Sequence, residues 1–199
     1  MPLRYLALGD SYTIGESVAE SERWPNQLAA SLKQKGYATE VTFMARTGWT
    51  TDELWQGIQK ANPQPPYDLV SLLIGVNNQY RGYDINEYRE EFRSLLTKSI
   101  EDAGGDKNRV FVVSIPDWGV TPFAAGRDAP QISSEIDAFN TVNRQEAEAA
   151  KAHYVDITPI SRQAVGDPSL IAYDGLHPSG KMYGLWVEEL LPEVIKVLD

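Results

Sequence analysis

The sequence predicts an α/β domain: a five-stranded parallel sheet with helices on both faces. Three observations predict it. Five short apolar runs occupy residues 3–8, 40–45, 69–74, 110–115 and 153–157. Four of them are near-continuously hydrophobic or β-branched instead of alternating, as strands covered on both sides should be. Helical patterns lie between the runs, so strand and helix alternate five times, the order of a sheet joined by right-handed crossovers. No internal repeat, low-complexity tract or linker interrupts that order, and one domain spanning residues 1–199 is expected.

Each helix has its own signals. Trp24, Leu28 and Leu32 are spaced by four, with Pro25 suited to a first turn and Gly36 to a C-cap. Thr50-Thr51-Asp52-Glu53 has capping-box spacing ahead of Leu54 and Ile58. Asp84 and Glu87 repeat that signature before the stripe Ile85, Tyr88, Phe92, Leu95, Ile100 and Ala103, which ends at Gly104-Gly105. Ile132, Ile136, Phe139 and Ala147 predict a fourth helix. Met182, Leu185, Trp186, Leu190, Val194 and Leu198 predict a fifth, with a kink or break at Pro192. Asn62-Pro63-Gln64-Pro65-Pro66 reads as a short loop into the third strand.

Composition narrows the function. A chain of 199 residues buries roughly 70% of its unfolded surface and needs no metal or disulfide staple. It has no cysteine, which excludes disulfides, cysteine nucleophiles and thiolate zinc sites. His153 and His177 are the two histidines, too few for a histidine-rich metal centre. With 18 basic and 28 acidic residues the net charge is −10, so phosphate backbones and anionic lipid headgroups are repelled and no nucleic-acid partner is expected. No run of 18 apolar residues suggests a membrane span. The first residues enter a strand-like stretch at once, which predicts a cytoplasmic protein if the chain is complete and a secreted or periplasmic one if a leader was removed. Nothing in the sequence specifies an oligomeric state.

In open parallel sheets ligands bind beyond the carboxyl ends of the strands. The small and reactive polar clusters fall there: Gly9-Asp10-Ser11, Arg46-Thr47-Gly48, Gly75-Val76-Asn77-Asn78, Pro116-Asp117-Trp118-Gly119 and, after the fifth strand, Asp174-Gly175-Leu176-His177-Pro178. His153 opens the fifth strand at the opposite edge and is expected to be structural. Ser11, His177 and Asp174 are the types that activate a hydroxyl: the imidazole takes the serine proton and the carboxylate holds its tautomer. The Asp-x-x-His spacing lets one turn deliver both groups. A developing oxyanion needs donors, which the Ser11 N–H, the Gly48 N–H and the Asn77 amide can supply.

These blocks, Gly9-Asp10-Ser11, Gly48, Gly75-x-Asn77 and Asp174-x-x-His177, resemble those of the SGNH hydrolases, also called GDSL esterases/lipases, in the family's order and across nearly the whole chain. The resemblance implies a flavodoxin-like three-layer α/β/α fold. It implies ester hydrolysis through an acyl-enzyme, with Ser11 as nucleophile, His177 as base and Asp174 orienting it. The Ser11 N–H, Gly48 N–H and Asn77 amide would bind the oxyanion, a small ester would be the substrate, and neither metal nor organic cofactor is called for. Two residues depart from the pattern. Tyr12 stands where the name-giving motif has Leu, and Asn78 where many members have Asp.

Other roles remain open at this level. Ser11 also suits a helix cap, Gly48 turn punctuation, and Asn77 the satisfaction of loop backbone groups. Asp10, Asp117 and Asp156 are rival carboxylates at the same edge, Asp156 the strongest for the orienting role. Trp118, Tyr80, Tyr83 and Phe123 form either a substrate wall or ordinary loop packing, while Trp24 and Trp186 are assigned to the core. An acyltransferase using the same site is one alternative, and a non-enzymatic flavodoxin-like binding module is the other. A mid-chain Gly-x-Ser-x-Gly elbow and the Gly-rich phosphate loops are absent from the sequence.

Overall fold

A computed structural model describes residues 1–198. Its one sheet is fully parallel, in the order β2-β1-β3-β4-β5. The strands are β1 (Leu3–Gly9), β2 (Thr39–Ala45), β3 (Leu69–Leu73), β4 (Val110–Val113) and β5 (His153–Val155). All five fall on the apolar runs of the sequence, but β4 and β5 stop two residues early. Side chains replace the ladder there: Asn140 Oδ1 accepts from the Ile115 N–H (2.7 Å) and Ser114 Oγ from the Ile157 N–H (2.8 Å). β3 and β4 are buried throughout and β1 from Tyr5 onward, whereas edge strand β2 starts by alternating half-buried and exposed residues. Near-continuous hydrophobicity was therefore a sound sign of two-sided burial.

Among the described residues eight α-helices accompany the strands: α1 (Ser11–Ile14), α2 (Trp24–Gln34), α3 (Thr51–Ala61), α4 (Val76–Tyr80), α5 (Ile85–Asp102), α6 (Ala129–Ala150), α7 (Thr158–Arg162) and α8 (Gly180–Leu198). α2 packs on α8 to form one layer, and α5 packs against both α3 and α6 to form the other. The three-layer α/β/α arrangement follows. α1, α4 and α7 have only four or five residues each, too few to show a helical period, and the sequence did not predict them. None of the described helices is long and apolar enough to cross a membrane.

Local signals explain the helix ends. Glu53 Oε2 accepts from the Thr50 N–H (3.0 Å), one arm of the capping box expected there. Asp84 Oδ1 accepts from the N–H groups of Asn86 (2.9 Å) and Glu87 (3.2 Å). Pro192 does not break the last helix, which runs on to Leu198. The proline and Glu188, the residue whose carbonyl loses its partner, are both exposed, so water can satisfy what the ring removes.

Trp24, Trp186, Tyr5, Tyr183, Phe92 and Phe111 are among the largest of the fully buried side chains that join sheet and helices into one core. Burying each such side chain is worth on the order of 2–3 kcal/mol. Across the α5–α6 contact, Glu146 pairs with Arg89 (2.7 Å) and Arg93 (2.8 Å). At the end of β1, Gly9 pairs with Ala45 and Leu73, and α1 turns back over it. A Cβ on Gly9 would lie 2.2 Å from Thr13 Oγ1 and 2.4 Å from the Leu73 carbonyl oxygen. The second contact is backbone and cannot swing aside. Gly9→Ala is therefore expected to lower the unfolding free energy by about 1–3 kcal/mol, measured in urea; an unchanged midpoint would show that this strand end is not tightly held.

Candidate active site

In the order β2-β1-β3-β4-β5 the chain reverses direction across the sheet between β1 and β3, and the crevice at their carboxyl ends is where flavodoxin-like sheets bind ligands. Ser11 leaves β1 as the first residue of α1, and Asn77 leaves β3 in the first turn of α4. Asp10 caps α1, its Oδ1 accepting from the Tyr12 N–H (3.0 Å). Ser11 thus supplies the first N–H of the helix, which has no partner within the helix. At Gly75 the backbone turns with φ of 128°, and a Cβ would lie 2.4 Å from the Tyr88 hydroxyl. Only glycine lets α4 begin there.

The acid–base turn arrives from the far end of the chain. Asp174 Oδ1 accepts from the N–H groups of Leu176 (2.9 Å) and His177 (3.0 Å), while Oδ2 meets His177 Nδ1 at 2.6 Å. Partial burial pushes the Asp174 carboxyl up, but the Ser17 hydroxyl, the His177 ring and the two N–H groups outweigh it and hold this acid well below the usual carboxylate range. In the neutral tautomer whose hydrogen is on Nδ1, His177 donates to this carboxylate and its Nε2 lone pair is left free. Asp174, not Asp156, is the carboxylate at His177. Asp156 instead accepts from Arg144 (2.8 Å) and Ser114 (3.1 Å), and Asp117 from Arg162 (2.9 Å).

Ser11, Tyr12, Val76, Asn77, Tyr80, Trp118, Phe123, Leu176 and His177 line one cavity of about 170 Å³. The structure therefore brings Ser11, Asn77 and His177 together. Gly48 is not among the lining residues, but it is tied to them: the Asn77 amide donates to the carbonyl of the next residue, Trp49 (2.9 Å), and Arg81 donates to the Gly48 carbonyl (2.7 Å). One Asn77 N–H is used in this way, and the other takes no hydrogen bond among the described residues.

Both departures from the family pattern find a physical account. Tyr12, buried, packs its ring edge-on against His177 with centroids 5.6 Å apart. Asn78, fully buried, accepts from the Thr51 N–H (3.1 Å) and donates to Thr51 Oγ1 (2.7 Å), fastening the start of α3. The same Thr51 hydroxyl donates to Glu91. An aspartate at position 78 would have no hydrogen to give and would bring a second carboxylate beside Glu91.

Three of the four candidate aromatics form a wall. Trp118 packs edge-on against Tyr80 (5.5 Å) and Phe123 (5.9 Å), while Tyr83 does not line the cavity. Residues that sequence reasoning passed over hold this wall. Gln79 accepts from Trp118 Nε1 (2.8 Å) and donates to Glu135 (2.7 Å), and the Arg127 guanidinium lies 5.1–5.4 Å from all three rings. Ser17, also passed over, donates to Asp174 Oδ2 (2.7 Å). No spacing in the sequence announces partners so far apart. His153 stacks on Phe111 (4.5 Å) at the other end of the sheet, as a structural residue should. A larger cavity of about 250 Å³, walled by the pairs Arg144–Asp156 and Arg162–Asp137, offers no nucleophile–base pair.

Comparison with known proteins shows what the chain is similar to. The model of the GDSL-like lipase/acylhydrolase family matches residues 7–185. An arylesterase of Vibrio mimicus is 22% identical over 196 residues, covering 98% of this chain and 90% of that protein. Among solved structures, TesA superposes with a TM-score of 0.76 at 20% identity, covering 98% of this chain and 99% of its own. The acetylxylan esterase Axe2 of Geobacillus stearothermophilus gives 0.71 at 20% identity, with 96% and 94% covered.

The carboxyl group next to Ser11 generates a pH prediction. Complete burial raises Asp10 from the ordinary 3.8 to about 7, against the pull of the Tyr12 N–H. A raised carboxyl stabilises the fold below its unfolded value and loses that contribution as pH climbs through its folded value. Asp10→Asn keeps an acceptor for Tyr12 and carries no charge. Its melting temperature relative to wild type should therefore rise between about pH 4 and about pH 8; a difference that stays flat over this range would remove Asp10 from the account.

Proposed function

From the premise that the chain belongs to the GDSL-like lipase/acylhydrolase family and is a carboxylic-ester hydrolase, we propose that it cleaves small esters through a serine acyl-enzyme, with Ser11, His177 and Asp174 as the triad. One observation carries this reading: Ser11 and His177, from opposite ends of the sequence, line one cavity while His177 Nδ1 rests on Asp174. Ser11 Oγ attacks the ester carbonyl carbon as His177 Nε2 takes its proton. The oxyanion is held by the Ser11 N–H, the Gly48 N–H and the remaining Asn77 N–H. Collapse expels the alkoxide, which leaves as the alcohol with the proton from His177. Water then attacks the acyl-enzyme with His177 again as base, releasing the acid and restoring Ser11.

Cavity size supports a small substrate. A volume of about 170 Å³ is close to the ~150 Å³ that houses benzene in an engineered protein cavity. Val76, Leu176 and the aromatic wall suit an apolar group of that size, a short acyl chain or an aryl ring. Acetate and butyrate esters should be turned over with similar kcat/KM, and an octanoate ester about tenfold less efficiently. Equal rates across that series would overturn the size limit.

Point variants test the roles. Ser11→Ala and His177→Ala should each abolish hydrolysis of p-nitrophenyl acetate with little change in melting temperature, and wild-type rates in either would refute the triad. Asn77→Ala should lower kcat about 10²–10³-fold, the usual effect of losing one oxyanion donor. A loss under about threefold would leave Asn77 a role in holding the Trp49 turn alone.

A further inference from the structure

The described residues include three non-glycine residues in the left-handed region: Ser17 (φ 67°), Asn62 (φ 47°) and Lys151 (φ 58°). Asn62 and Lys151 cap the C-termini of α3 and α6, a common place for that conformation. Ser17 closes no helix, because α1 already ends at Gly15, itself left-handed. A serine held in this region carries backbone strain that glycine would not, and such strain persists where the surroundings demand a particular side chain. The Ser17 side chain meets such a demand, since its hydroxyl donates to Asp174 Oδ2 at 2.7 Å, the oxygen that also meets His177.

The other donors to Asp174 are Leu176 N–H, His177 N–H and His177 Nδ1, all from its own turn. They fix the carboxylate and the imidazole relative to each other but do not fix the pair relative to Ser11. The turn has a backbone anchor on the aromatic wall, where the Phe123 N–H donates to the Gly175 carbonyl (2.9 Å). Toward the nucleophile, the carboxylate is held through Ser17, which follows α1 after a two-residue turn. Its neighbour Glu16 accepts from Thr47, next to Gly48. Residues 16 and 17 thus fasten two other blocks of the site to the segment that carries Ser11.

We propose that Ser17 is a positioning residue: its hydroxyl, presented from a strained left-handed backbone, sets where the Asp174–His177 pair stands relative to Ser11. This rests on the triad assigned above. Ser17 touches no reacting atom and acts through Asp174. A misplacement of an ångström at such a pair can reduce turnover a hundredfold, while substrate binding in the cavity is untouched.

Two substitutions separate this role from a structural one. Ser17→Gly relieves the backbone and deletes the hydroxyl. It should keep or raise the melting temperature, leave KM within about twofold, and lower kcat about 10- to 100-fold. Ser17→Thr keeps the hydroxyl on a β-branched residue that suits this backbone poorly. It should lower the melting temperature yet retain most of kcat. A Ser17→Gly enzyme with kcat within about twofold of wild type overturns the proposal, as does a pair of variants whose kcat and melting temperature fall together. Ser11→Ala and His177→Ala, assayed alongside, keep the two failures apart. If they abolish activity while Ser17→Gly does not, the triad stands and the positioning role falls; if they stay active, both fall.

Discussion

The parallel pairing of β1 with β3, Gly9 opposite Leu73, is the constraint on which the rest depends. It brings two strand ends to one level although the chain leaves them toward opposite sides of the sheet. Ser11 and Asn77 sit one turn beyond those ends, in helices of four and five residues. Both strands are buried along the lengths that matter, so neither end can shift without disturbing the core. Glycine is required at both exits for steric reasons: at Gly9 by the close approach of Thr13 and the Leu73 carbonyl, at Gly75 by its φ and the Tyr88 hydroxyl. The crevice is therefore set by backbone packing before any reactive side chain is placed in it.

Two carboxylates at this edge show how the protein sorts charge by counting donors. Asp174 is partly buried yet receives four hydrogen bonds, from Ser17, Leu176 and twice from His177, and stays ionised far into acid. Asp10 is completely buried, receives the Tyr12 N–H at one oxygen, and has its other oxygen without a protein partner among the described residues. Burial wins there, and the acid rises to about 7. The contrast follows from desolvation opposing hydrogen bonding. It places a durable anion beside His177 and leaves the carboxyl group next to Ser11 far easier to neutralise.

The cavity wall is carried by segments that the sheet merely supports. Tyr80 comes from α4, Trp118 and Phe123 from the turns after β4, and Leu176 from the acid–base turn. Gln79 and Glu135 hold Trp118 from α4 and α6, and Arg127 lies against all three rings. A wall made of short turns on a rigid frame can change its shape with few substitutions, and the frame need not move.

The sequence by itself determined the five strands, the five long helices and the edge at which the chemistry gathers, because hydrophobic period and capping residues are local properties. It also made Ser11, Asp174 and His177 candidates, since residue type and the short Asp-x-x-His spacing survive in one dimension. It could not set β4 and β5 to their true lengths, because Asn140 and Ser114 end the ladder from elsewhere in the chain. Nor could it separate Tyr83 from the other aromatics, or find Ser17, Gln79 and Arg127. Those were decided by the tertiary structure alone. Each depends on side chains meeting across segments remote in sequence, and such meetings leave no periodic trace in the chain.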